Sequence, residues 1–137
     1  MSGKSLKRIF IVDDDPDIRK MLSLILRSAE YEIVGQASDG VDILKKIMLA
    51  TPSVILLDIN MPGTSGLDVL EEILKTYSHI KVVMISGSSS SADVQTAITR
   101  GAAGYIVKPF NTAQVVQNVE RAVASAKAEK GAKKSIS

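Results

Sequence analysis

Five short apolar runs punctuate the chain: Ile9-Phe10-Ile11-Val12, Glu32-Ile33-Val34-Gly35, Val54-Ile55-Leu56-Leu57, Val82-Val83-Met84-Ile85 and Tyr105-Ile106-Val107. They are rich in β-branched residues and continuous rather than alternating, which predicts strands covered on both faces, as in a parallel sheet. The second run is the most polar and reads as an edge. Between the runs the apolar spacing becomes helical. Ile18, Met21, Leu22, Ile25, Leu26 and Ala29 mark one buried stripe. Asp15 is placed to cap that helix, with Pro16 at its first position, where a missing N–H costs nothing. A second helix is predicted from Asp39-Gly40, burying Val41, Leu44, Ile47 and Met48. Ser65 with Asp68 resembles a capping box for a third, which buries Leu67, Leu70, Ile73 and Leu74. Ser90 with Asp93 opens a short fourth whose apolar face (Val94, Ala97, Ile98) is thin. Asn111 with Gln114 opens a fifth bearing Val115, Val116, Val119, Ala122 and Val123.

Strand and helix alternate five times over short links. The expected fold is therefore α/β, a doubly wound five-stranded parallel sheet with five helices. The flavodoxin-like strand order 2-1-3-4-5 is the version that places a ligand crevice between strands 1 and 3. At 137 residues one domain is expected, over 6–126, with 127–137 as a flexible basic tail. Met21, Met48 and Met84 read as core fillers, and His79 as a surface loop residue.

Charge changes this picture only at the ends. The net charge is +2, yet Lys4, Lys7 and Arg8 contribute +3. Lys127, Lys130, Lys133 and Lys134 against Glu129 contribute another +3, so the body carries −4. Lysines at a chain end are ordinarily solvated, and DNA binding is not expected from them. The absence of cysteine excludes disulfides, thiolate metal sites and a cysteine nucleophile. No apolar run approaches the roughly 20 residues of a membrane helix, and the N-terminus lacks a signal-peptide apolar region. Membrane insertion is not expected, and cytoplasmic residence fits.

The candidate chemistry lies in the polar residues that close each apolar run. Strand 1 ends in Asp13-Asp14, strand 3 in Asp58, strand 4 in Ser86 and strand 5 in Lys108-Pro109. Strands 1 and 3, the two that end in acid, flank the expected crevice. Three close carboxylates cannot all stay ionised cheaply, so one protonates or a cation gathers them. An all-oxygen donor set calls for a hard ion, Mg²⁺ before Mn²⁺ or Ca²⁺. Mg²⁺ leaves coordination places for a phosphoryl group, which Lys108 would meet as a point charge and Ser86 with a hydroxyl. That is equipment for phosphoryl transfer to a carboxylate, with Asp58 as the nucleophile. Taken singly, these residues say less. Asp15 reads as a helix cap rather than a ligand, Asp13 and Asp14 could be turn acids, and most lysines are simply solvated.

At these residues the chain closely resembles the receiver domains of two-component response regulators. The motifs Ile11-Val12-Asp13-Asp14-Asp15-Pro16, Leu57-Asp58-Ile59-Asn60-Met61-Pro62-Gly63, Ile85-Ser86-Gly87 and Val107-Lys108-Pro109-Phe110 occur in the family's order. Asp14, Asp58, Ser86 and Lys108 are separated by 44, 28 and 22 residues, which also fits. The resemblance covers residues 6–126 and implies a stand-alone receiver domain. It implies that Asp58 accepts phosphate from a sensor histidine kinase, forming an acyl phosphate. It implies that Asp14, Asp58 and the backbone carbonyl of Asn60 ligate Mg²⁺ (Mn²⁺ as a substitute), with Asp13 acting mainly through bound water. Lys108 would pair with Asp58 and then with the phosphoryl oxygens. Ser86 and Tyr105 would be the switch residues, and a cis bond would precede Pro109. The signal would leave through the helix 4, strand 5 and helix 5 face to an unidentified downstream protein. The protein would be a phosphoacceptor, not an enzyme acting on other substrates, and a monomer. No DNA-binding output domain is expected, since only residues 127–137 remain. Ser86 departs from the commoner threonine, and Gly87 with the four serines after it should loosen the adjoining loop. Two other readings stay open. One is an aspartate-nucleophile phosphatase of the haloacid dehalogenase type, although Asp13-Asp14-Asp15-Pro16-Asp17 lacks that family's threonine. The other is a receiver-like interaction module that is never phosphorylated.

Overall fold

A computed structural model describes residues 5–136, with side chains described to residue 131. The elements are β1 (Arg8–Val12), α1 (Pro16–Ser28), β2 (Glu32–Ala37), α2 (Ile43–Ala50) and β3 (Val54–Asp58). They continue with α3 (Gly66–Thr76), β4 (Lys81–Ser86), α4 (Ser91–Thr99), β5 (Gly104–Val107) and α5 (Thr112–Ile136). A two-residue antiparallel ladder, Asn60–Met61 against Thr64–Ser65, folds the link between β3 and α3. The five main strands form one parallel sheet in the order β2-β1-β3-β4-β5, as expected. Ile11 lies opposite Leu56, Leu56 opposite Val83, and Val83 opposite Gly104.

Alternate side chains of each strand feed opposite faces, so the sheet separates two apolar layers. Phe10, Val12, Ile55, Leu57, Val82 and Met84 face Ile43 and Ile47 of α2, Val69, Leu70 and Ile73 of α3, and Ala97 of α4. Ile9, Ile11, Leu56, Val83, Ile85 and Ile106 face Leu22 and Leu26 of α1 and Val115, Val119 and Ala122 of α5. A fully buried Leu or Ile is worth about 1.5–3 kcal/mol, so most helices are held by several such anchors. α4 is the exception, because Ala97 is its single buried residue.

The predicted caps are present in most places. Asp15 accepts from the Asp17 amide at 2.9 Å ahead of Pro16. Asn111 and Gln114 bond each other's backbone amides reciprocally, at 2.8 and 2.9 Å. Ser65, however, accepts from Leu67, and Asp68 returns no bond to it, so the capping box is only half formed.

Other expectations need correction. α2 begins at Ile43 rather than at Asp39-Gly40. Asp39 uses its carboxylate to bond the Val41 amide, and Asp42 has a left-handed φ of 53°. That turn delays the helix and puts Ile43 inside in place of Val41. Met21 and Met48 are not core residues; they are 47% and 56% exposed, at the solvent edge of their stripes. Met84 is buried as expected. The segment from residue 127 is not a break from the fold, because α5 runs on to Ile136. Its alanines, lysines and glutamate are strong helix formers. Ala126 packs against the body, and Glu129 forms an ion pair with Lys81. Residues 1–4 and 137 lie outside the described residues. Among the described residues no helix is long and apolar enough to cross a membrane.

Candidate functional site

The carboxyl ends of β1 and β3 meet at the reversal of strand order, and both deliver acids. Asp13 is completely buried and Asp58 is 3% exposed, whereas Asp14 next to Asp13 is exposed. One carboxylate oxygen from each of Asp13, Asp14 and Asp58 lies within 4.8 Å of the others. Their backbone is fixed from several sides. The Asp13 amide donates to the carbonyl of Ala37 at 3.1 Å, and its carbonyl accepts from Arg19 Nη1 at 2.6 Å. Asp13 Oδ1 accepts from the Asp15 amide at 2.9 Å, and Asp58 Oδ1 accepts from the Asn60 amide at 3.1 Å.

The second oxygens of the two buried acids face Lys108. Its Nζ stands 3.0 Å from Asp13 Oδ2 and 3.2 Å from Asp58 Oδ2. Only the Asp58 contact has hydrogen-bond geometry; Asp13 Oδ2 is buried and meets the ammonium as a charge alone. Lys108 is brought there by β5. Its amide donates to the carbonyl of Ser86 at 2.7 Å, and a cis peptide joins it to Pro109. Burial alone would lower the Lys108 pKa, but the two carboxylates beside it outweigh that and raise it. Burial and then the charge of Asp13 push the Asp58 carboxyl up to about 6, against the smaller pull of the Asn60 amide and Lys108. One lysine therefore does not neutralise this edge. The all-oxygen donor set, in which Asp13 and Asp58 are buried, Asp14 is exposed and Asp13 Oδ2 lacks a hydrogen-bond donor, fits a hard divalent cation.

A shallow cleft of about 530 Å³ opens beside Asp14, lined by it together with Ile59, Asn60, Met61, Pro62 and the turn after them. A larger cavity of about 750 Å³ opens at the opposite end of the sheet, between α2 and the far half of α5, and touches none of these residues.

Ser86, 1% exposed, ends β4, one residue beyond the position paired with Asp58. Tyr105 stands apart from the carboxylates; its hydroxyl donates to the carbonyl of Ser88 at 2.9 Å. Three contributors carry no functional signature in the sequence. Arg19, six residues after Asp13, looks like an ordinary helix-surface arginine. Ser88 is hidden in a serine tract. Gly66 is the third, and a Cβ there would lie 2.1 Å from the backbone oxygen of Asp58.

A flavodoxin-like sheet whose switch-point crevice is edged by three carboxylates, a lysine and a serine places the chain among the doubly wound α/β proteins, which bind ligands outside the carboxyl ends of their strands. The response regulator receiver domain family matches residues 9–120, and the chain belongs to that family, in which phosphorylation on aspartate is characteristic. The chain is 36% identical over 115 residues to the chemotaxis protein CheY of Thermotoga maritima, covering 84% of this chain and 96% of that one. Among solved structures it resembles a CheY-like receiver domain protein from Methanospirillum hungatei, with a TM-score of 0.81 and 31% identity. That match covers 91% of this chain and 99% of the other. It also resembles the CheX–CheY–BeF3–Mg²⁺ complex from Borrelia burgdorferi, with a TM-score of 0.78, 32% identity, and 82% and 85% of the two chains covered.

Proposed function

We propose that residues 6–126 form a receiver domain in which Asp58 is the phosphoacceptor. A carboxylate oxygen of Asp58 attacks the phosphorus of a histidine kinase's phosphohistidine. The P–N bond breaks, its electron pair stays on the imidazole, and an acyl phosphate forms on Asp58. The observation that carries this reading is the Lys108 ammonium held between Asp13 and Asp58, beside a three-carboxylate cluster.

Asp14, Asp58 and the Asn60 carbonyl would hold Mg²⁺, or Mn²⁺ in its place, with Asp13 acting through water. Bound there, the ion offsets the negative charge shared by the acids and the incoming group. Lys108 exchanges its contact with Asp58 for the phosphoryl oxygens, and the Ser86 hydroxyl donates to one of them. Tyr105 responds behind Ser86, so that the face of α4, β5 and α5 presents a changed surface to a downstream protein. The Borrelia neighbour, solved with BeF3 and Mg²⁺, supports this reading of the acidic edge. On it the protein is a monomeric cytoplasmic phosphoacceptor that takes part in its own phosphorylation and dephosphorylation.

The test is labelling with radioactive acetyl phosphate. Label should appear on the peptide containing Asp58, and chelation with EDTA should slow its incorporation by roughly 10²-fold. Labelling indifferent to the chelator would remove the metal from the proposal. Steady turnover of p-nitrophenyl phosphate, lost on Asp13→Asn, would replace it with a phosphatase.

A further inference from the structure

Between the end of β4 and the start of α4, Ser88 uses every polar group it has. Its amide donates to Ser86 Oγ at 3.0 Å, and its carbonyl accepts from the Tyr105 hydroxyl at 2.9 Å. Its hydroxyl donates to Asp93 Oδ2 at 2.5 Å and accepts from the Ser90 amide at 3.3 Å. Ser90 in turn caps α4, accepting the Asp93 amide at 3.1 Å. One residue thus joins Ser86, Tyr105 and the first turn of α4. Neighbouring Gly87 makes no comparable connection, and a Cβ there would meet nothing within 4 Å.

The helix at the end of this chain of bonds is the one least held by burial. α4 buries only Ala97, and Ile98 beside it is 46% exposed. Its far end is fixed by the turn at Gly101 and by Arg100, which lies 3.6 Å from both Asp68 and Glu71 of α3. Exposed ion pairs of that kind contribute little. The position of the first turn therefore depends on its cap and on the short, charge-assisted bond between Ser88 and Asp93.

We infer that Ser88 is the positioning residue that transmits the state of Ser86 to the amino end of α4, through its hydroxyl clamp on Asp93. The inference rests on the reading of Asp58 as phosphoacceptor. When Ser86 turns its hydroxyl toward a group on Asp58, the Ser88 amide bonded to it is displaced or released. The Ser88 hydroxyl then carries that displacement to Asp93 and the cap, while its carbonyl carries it to Tyr105. Ser88→Ala leaves both backbone bonds in place and removes the clamp together with the longer bond from the Ser90 amide, so the hydroxyl branch is separable from the backbone branch to Tyr105.

Amide hydrogen exchange over residues 90–96 is measured with and without Mg²⁺ and beryllofluoride, beside acetyl phosphate labelling of the same proteins. Wild type should show a change in exchange at the start of α4 on adding beryllofluoride. Ser88→Ala should melt as wild type does and keep its labelling rate within about twofold. Its α4 amides should exchange roughly fivefold faster in the free protein, the loss of about one hydrogen bond, and the beryllofluoride response should fall below half. Ser88→Thr, which keeps the hydroxyl, should restore the response. Asp93→Ala should match Ser88→Ala, and the double variant should add nothing further. A full α4 response in Ser88→Ala, or additive effects of the two substitutions, would overturn the inference. So would a wild-type protein that labels on Asp58 while α4 ignores beryllofluoride. Absence of wild-type labelling would instead sink the phosphoacceptor reading itself.

Discussion

Asp58→Asn is expected to abolish labelling by acetyl phosphate and, at neutral pH without metal, to stabilise the fold. The first effect comes from replacing the attacking carboxylate by an amide, which is not a nucleophile at these pH values. The second is a matter of linkage. The Asp58 pKa is raised from 3.8 to about 6 by burial and by Asp13, so the folded protein holds that proton more tightly than the unfolded chain. Its contribution is favourable below pH 3.8 and is lost as pH rises toward about 6. Above that, an ionised Asp58 opposes folding by about 1–3 kcal/mol, which the amide removes. Lys108 gives back part of this gain, since it loses one of its two carboxylate partners. Thermal melts from pH 4 to 8 in EDTA should show the two proteins diverging between pH 4 and 6, with the variant higher at pH 7. Added Mg²⁺ should raise the wild-type melting temperature by mass action and the variant's much less. A variant that still labels at the wild-type rate would refute the assignment of Asp58, whatever its stability.

Gly66→Ala should cost about 2–4 kcal/mol and slow labelling together with it. A Cβ at Gly66 would sit 2.1 Å from the carbonyl oxygen of Asp58 and 2.7 Å from the Cα of Ile59. Neither neighbour is the end of a flexible side chain, so only a backbone shift relieves the overlap. The Gly66 amide also donates to the Ile59 carbonyl at 2.7 Å, which ties the start of α3 to the end of β3. Any shift therefore moves the segment that carries Asp58. Gly87→Ala is the control, with open space around its Cβ, and should fall within about 0.5 kcal/mol of wild type. Urea melts of the two variants read the difference directly. A Gly66→Ala protein as stable as the Gly87→Ala protein would show that the contact relaxes at little cost.

These positions mark where the amino-acid pattern does and does not reveal the fold. The sheet is legible because buried parallel strands demand unbroken apolar runs, and four of the five here hold at least three such residues in succession. The strand-end acids and Lys108 are legible because polar groups directly after such runs fall at one edge of the sheet. Met21 and Met48 mislead because helical spacing defines the centre of a buried stripe but not its width. The start of α2 misleads because an aspartate before a helix can equally cap it or, as Asp39 does, close a turn ahead of it. Gly66 and Ser88 have no readable signature, since their importance comes from a backbone oxygen and a carboxylate that only the fold brings close. The lysines after residue 126 suggest solvated chain, while the alanines and glutamate between them carry the helix onward.

That longer α5 has a mechanical consequence. At 25 residues it is a rod about 37 Å long, starting just beyond Pro109 on the loop that bears Lys108. It passes under β4 and β5 and is latched to Lys81, at the other end of β4, by Glu129. A tilt of only ~5° at the Pro109 end would swing the far tip by about 3 Å, a lever's amplification of a small movement at its fulcrum. Buried Val115, Val119 and Ala122 hold the near part of the rod against the sheet, and beyond Ala126 the Lys81–Glu129 latch adds to the resistance to that swing.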